Sequence, residues 1–382
     1  MSGFNHERID ERPPCTKLGF CLTADLTGNG REDVIVGGAG EGFPGKGIVW
    51  EAERRGVPTG PIRSAMGIGE ANLFWYENPG FERHEISFTP SLDVGGAVGD
   101  LTGSGGPNIV AGQGIDNTGL YWFEPGQDPR GRWSRYRITD RFEKYHDVAV
   151  ADIDDDGEPE VVGLSQESET VFYYDIPSEP RRSPWDEEHL HIIDEGREVE
   201  GLAVRDVTGD GRTELVAGPN VYYRDPDAVN GWCREEIVSG WDNTRVEVAD
   251  LDDDGELEIV LSEGDSPHLG TRPGRVAWFD PPDWDENVIA DELFCPHSLA
   301  VEDFTGDGLL EIYVAEMGLG KHGEPRHFLF YNREGEFERE TVETGIPTHE
   351  AKVVDLTDSG RPDVVGKSYG PDHHVDVWFN RL

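Results

Sequence analysis

Apolar and polar positions alternate along the chain in a pattern that repeats seven times. A short apolar stretch, as in Val148–Ala151, runs into an Asp-rich hexapeptide, and a second apolar run follows, as in Glu160–Val162 or Glu258–Leu261. The hexapeptides begin at Asp25, Asp100, Asp152, Asp206, Asp250, Asp303 and Asp355. A third run is rich in aromatics, as in Leu73–Tyr76, Leu120–Phe123 and Val276–Phe279. A fourth carries an aromatic and, five residues on, an aliphatic: Phe81/Ile86, Trp133/Ile138, Trp185/Leu190, Trp232/Ile237, Trp284/Ile289 and Phe337/Val342. Runs this short, separated by Gly and Asp turn signals, predict strands rather than helices. Four strands per repeat is the blade of a β-propeller, so the pattern predicts an all-β, seven-bladed β-propeller.

The seventh repeat stops at Leu382 without a fourth strand. Phe4 and Ile9 have the missing five-residue spacing. Residues 4–9 are therefore expected to complete the last blade, close the ring and cover an open sheet edge. The expectation is one domain over residues 1–382, with an insertion at about 38–71 between strands of the first blade.

Charge narrows the partners. With 33 Lys+Arg against 78 Asp+Glu, the net charge is −45. That repels phosphate, so nucleic acid and anionic membrane are not expected partners. The carboxylates are dispersed and only six cations are Lys (Lys17, Lys46, Lys144, Lys321, Lys352, Lys367). Dispersed acid with Arg in place of Lys points to a halophilic protein whose self-repulsion is screened by salt. No run is long enough to span a membrane, the first residues lack an apolar leader core, and four cysteines form no disulfide framework. A cytoplasmic location with reduced thiols is expected.

The Asp-rich loops are candidate calcium sites. Alternate carboxylates with a glycine at the sharp turn suit a hard cation. Two loops are complete: Asp152, Asp154, Asp156 and Glu160, and Asp250, Asp252, Asp254 and Glu258. Five loops carry Thr at the third position and are expected to bind weakly or to be bare Asx turns.

The residues six positions before each leading Asp are Gly19, Val94, His146, Glu200, Thr244, His297 and His349. Equivalent blade positions converge on the propeller axis, so three His and one Glu are expected at one channel mouth. Three imidazoles with an optional carboxylate suit Zn²⁺ or a similar ion, with Glu200 as fourth ligand or base. The competing reading is channel histidines bonded to water or backbone. The loops between second and third strands surround that mouth and supply further candidates. Lys352, Glu350 and His373 are candidates for acid–base work, and Lys367, Tyr369, Arg272 and Lys321 for substrate contact. Nucleophile elbows, zincin helices and P-loops are absent, and no Rossmann glycine fingerprint opening a helix is found.

The Asp-rich repeats resemble the FG-GAP/VCBS propellers. Tyr145-His146-Asp147, Cys295-Pro-His297, Thr348-His349-Glu350-Ala-Lys352 and the ending His374-Val-Asp-Val-Trp-Phe-Asn380 resemble the propeller domain of aldos-2-ulose dehydratase. That resemblance implies a metal near the axis and removal of water from 1,5-anhydrofructose and related uloses. The expected function is a metal-dependent carbohydrate lyase or dehydratase acting by β-elimination on a small keto- or anhydro-sugar. The alternative is a non-catalytic, calcium-stabilised propeller that binds a glycan or protein.

Overall fold

The computed structural model describes residues 3–39, 71–320, 324–333, 335–370 and 373–382. These contain strands β1 to β28 in chain order, arranged as seven four-stranded antiparallel sheets. Most of the expected insertion, and Lys321, lie outside the described residues.

Each blade begins with an inner strand: β2 (Lys17–Ala24), β6 (Gly96–Gly99), β10 (Tyr145–Ala151), β14 (Leu202–Arg205), β18 (Thr244–Ala249), β22 (Pro296–Glu302) and β26 (Glu350–Val354). Neighbouring inner strands touch around the full circle, and β2 meets β26 to close it. The last sheet has the order β1–β28–β27–β26, where β1 is Phe4–Asp10, β27 is Asp363–Lys367 and β28 is Val375–Asn380. The N-terminal strand thus completes the seventh blade, as its Phe4/Ile9 spacing predicts. Phe4 is buried and meets Phe304 edge to face at 6.0 Å.

The apolar residues form seven clusters, each joining two adjacent blades. The cause is strand parity. Second strands such as Glu160–Ser165 are buried along their whole length, because each face packs on a different neighbour. Asn side chains add polar links between blades: Asn78 Nδ2 donates to Leu356 O at 2.8 Å and Asn380 Nδ2 to Phe304 O at 2.8 Å.

The Asp-rich hexapeptides are tight turns that largely satisfy themselves. The leading Asp accepts from backbone across the turn, as Asp152 Oδ2 does from the Gly157 N–H at 3.0 Å. Gly157 has φ +91, a conformation that favours glycine. Eight residues after the leading Asp, a buried side chain pins the turn from below: Ile153 N–H donates to Glu160 Oε2 at 2.9 Å, and Phe304 N–H to Glu311 Oε2 at 2.9 Å. These turns occupy one face of the ring, and the loops between second and third strands occupy the other.

Candidate functional site

That second face opens into a cavity of about 860 Å³ on the propeller axis. His146, Glu200, Arg245, His297 and His349 line it, one from each of blades three to seven. The histidines are aimed by local irregularities. In β10 the register slips between Tyr145 and Asp147, and in β22 between Pro296 and Ser298. His146 and His297 are the extra residues at these two bulges, and a bulge turns its side chain away from the regular alternation.

On the blade-three side, His146 bridges two carboxylates. Its Nδ1 lies 2.9 Å from Asp147 Oδ2 and its Nε2 3.2 Å from Glu200 Oε1. Burial opposes charge on this ring, but Glu200 and Asp147 overcome it and raise the pKa. Asp147 also pairs with Arg245 at 3.2 Å. Burial works against the Asp147 charge, but Arg245 and His146 hold its carboxyl well below the usual range. Gln166 Nε2 donates to Glu200 Oε1 at 2.5 Å and to Glu198 Oε1 at 2.8 Å. Four buried polar atoms of the cavity lining have no partner among the described residues: Glu200 Oε2, Gln166 Oε1, Asp93 Oδ1 and Arg245 Nη1. Asp265 also lines the cavity, and burial, with Glu200 nearby, lifts its pKa to about 6.

On the other side His297 and His349 stack, ring centres 3.9 Å apart and 22° from parallel. Tyr369 stacks on His349 in turn, at 4.5 Å and 19°. His297 Nδ1 lies 2.6 Å from the His349 carbonyl oxygen. A carbonyl only accepts, so Nδ1 carries the proton and Nε2 is bare. Behind His349 lies Lys367, which is 0% exposed. Its amine donates to Leu18 O at 2.9 Å and to Gly19 O, and it lies 2.5 Å from His349 Nδ1. A charged amine has three N–H groups and here meets three acceptors, so His349 Nδ1 is then bare and Nε2 carries the proton. Burial lowers the Lys367 pKa to about 7. Burial and the cations nearby push both histidines well below the usual imidazole range, so both are neutral.

These residues do not fit one three-histidine ion as they stand. His146 commits both ring nitrogens to carboxylates, and His349 Nε2 is protonated while Lys367 is charged. Among the described residues, ligand atoms gather within 4.8 Å only at Asp152/Asp154/Glu160, Asp206/Asp210/Glu214 and Asp250/Asp252/Asp254. Two of these groups belong to the complete loops, without Asp156 and Glu258 as members. The third belongs to a Thr loop that sequence reasoning ranked low. There Thr208 hydrogen-bonds to the side of Glu214, leaving the three carboxylates to gather.

The other sequence candidates divide by position. Glu350, Lys352 and Tyr369 line the cavity. Lys352 pairs with Glu350 at 3.2 Å, and although burial opposes it, Glu350 and Glu247 raise its pKa, so it is a cation and not a base. Glu350 Oε2 also accepts from the Cys21 N–H at 3.1 Å. Lys367 sits behind His349 and reaches a ligand only through it. Arg272 is held on Glu263 at 2.8 Å, outside the lining, and His373 is not part of the lining either. Lys17, Asp93, Asp147 and Arg245 were missed. The scarcity of lysine was the available signal, because the four described lysines all belong here: Lys17, Lys144 and Lys352 in the wall, Lys367 behind it.

No family model and no curated protein matches the chain. A solved structure of the Photorhabdus luminescens Tc holotoxin pore is similar over 75% of this chain, at 15% identity and a TM-score of 0.38. The chain covers 14% of the length of that one, and a likeness at this level bears no functional argument.

Proposed function

We propose that the axial cavity is the active site of a carbon–oxygen lyase that dehydrates a small keto- or anhydro-sugar by β-elimination. The stacked His297/His349 pair carries this reading, because it presents a bare Nε2 beside a protonated one in a polar cavity. The resemblance of the axial motifs to the propeller domain of aldos-2-ulose dehydratase supports the same substrate class.

Elimination needs a base for the proton α to the carbonyl and an acid for the departing hydroxyl. His297 Nε2 takes the proton. The C–H electron pair becomes the new C=C bond, and the C–O bond breaks. The leaving hydroxyl takes the Nε2 proton of His349 and departs as water. Lys367 delivers its own proton to His349 Nδ1 in the same step, so His349 ends neutral as the other tautomer and Lys367 ends as an amine. Solvent then takes the proton from His297 and protonates His349 at Nε2, and His349 passes its Nδ1 proton back to the Lys367 amine, which restores all three groups. Charge developing on the carbonyl oxygen is met by Arg245, whose Nη1 has no partner among the described residues, and by Lys352.

The test is incubation with 1,5-anhydrofructose, following the absorbance of the conjugated enone product, alongside elemental analysis of untagged protein. Turnover that is lost in His297→Gln and retained without a transition metal supports the scheme. Turnover that tracks a bound metal would replace it with the metal-dependent version. Binding without turnover would favour the non-catalytic glycan-binding propeller.

A further inference from the structure

The blade-one and blade-two side of the cavity carries polar groups that the elimination scheme does not use. Lys17 opens β2, and Asp93 lies in the segment leading into β6. Both line the cavity. Lys17 Nζ lies 2.9 Å from Asp93 Oδ2 and 4.7 Å from the centre of the Tyr369 ring, the same ring that stacks on His349. This pair is therefore joined to the acid–base pair through one aromatic side chain.

Asp93 is 9% exposed, and its Oδ1 has no partner among the described residues. A buried carboxylate oxygen left unpaired is costly, so it marks a place for a donor. Residue 114 is glycine, and a Cβ there would lie 2.5 Å from that oxygen. Any larger residue would crowd it. Beside this acceptor stands the Lys17 ammonium, which has more N–H donors than the one that Asp93 takes.

We infer that Lys17 and Asp93 form a hydroxyl-recognition subsite, which holds the polyol end of a sugar while its carbonyl end lies at His297 and His349; this rests on the lyase reading above. The chemistry selects a neutral polyol. An anion would meet the Asp93 carboxylate and a cation the Lys17 ammonium. A vicinal diol gives one O–H to the carboxylate and accepts from the ammonium through the neighbouring oxygen, both charge-assisted bonds. Asp93 and Lys17 are thus specificity residues that bind without touching the bond that breaks.

The test uses 1,5-anhydroglucitol, a polyol with no carbonyl and therefore unreactive, titrated calorimetrically into wild-type protein, Asp93→Asn and Lys17→Met. Each variant is expected to bind at least about tenfold more weakly, about 1.4 kcal/mol. In turnover, each should raise KM by a similar factor with kcat within about twofold of wild type. Lys17→Met carries the test by itself if Asp93→Asn fails to fold. Wild-type binding that is lost in the variants, with no dehydration of any ulose, would leave the subsite standing while the lyase reading falls. Undiminished binding in both variants, no polyol binding by wild type, or a loss in kcat at unchanged KM would each overturn the subsite.

Discussion

The imidazoles of His297 and His349 lie face to face, 3.9 Å apart, yet point their hydrogen bonds in opposite senses. His297 gives its Nδ1 proton to the backbone of His349, and His349 turns its own Nδ1 to the amine of Lys367. Two like side chains therefore offer unlike edges to the cavity.

The pair implies a bell-shaped pH profile. Burial, with Arg245 and Lys367 nearby, pushes His297 well below its usual value, so the base fails only well below pH 6.5. Burial brings Lys367 down to about 7, so the proton it relays is lost as pH rises through about 7. Turnover is expected to hold through mild acid and fall above neutrality. Lys367→Met should lower kcat and abolish the alkaline limb. A limb unchanged in that variant would show that Lys367 is only structural. His297→Gln should cost about 10²–10⁴ in kcat with the melting temperature little changed.

The Asp-loop carboxyls make stability depend on pH and calcium. Burial raises Glu160 and Glu258 to about 7, well above their unfolded value near 4.3. The folded state then binds the extra proton. That contribution is complete below about pH 4.3 and is lost as pH rises through about 7. In EDTA, the melting temperature should fall between about pH 5.5 and pH 8 from this source. Calcium favours the ionised carboxylates, so it should restore more stability at pH 8 than at pH 5.5. Glu160→Gln, which alters a member of its carboxylate group, should weaken both trends. A melting temperature indifferent to calcium at pH 8 would leave these loops as bare turns.

Ring closure rests on the N-terminal strand. Phe4→Ala removes a buried ring from the contact with Phe304 and should cost about 3 kcal/mol. Deleting residues 1–10 should cost more, because it also bares β28 and strips Asp376 of His6 and Arg8, which lie at 2.7 and 3.0 Å. Thermal melts of the two variants check the order.

A net charge of −45 predicts strong salt dependence. Lowering KCl from about 2 M to about 50 mM lengthens the screening distance several-fold and should lower the melting temperature markedly. Equal melting temperatures at the two salts would remove the halophilic reading.

The repeat made the fold legible. Asp and Gly turns, alternating apolar runs and the Phe4/Ile9 spacing are local signals, because turn chemistry and strand parity act between near neighbours. They identified seven blades and the strand that closes the ring. The column His146, Glu200, His297 and His349 was legible too, because a repeat carries each position to the same place on the axis. What those groups do there was not. Whether an imidazole is a ligand, a base or an acid depends on what its second nitrogen meets. His349 Nδ1 meets Lys367, eighteen residues away. His146 meets Glu200, which comes from the next blade. Lys17 and Asp93 meet across 76 residues. Those contacts form only when strands pair and neighbouring blades pack, so the sequence determined which groups reach the axis, and the tertiary structure decided which of them hold protons.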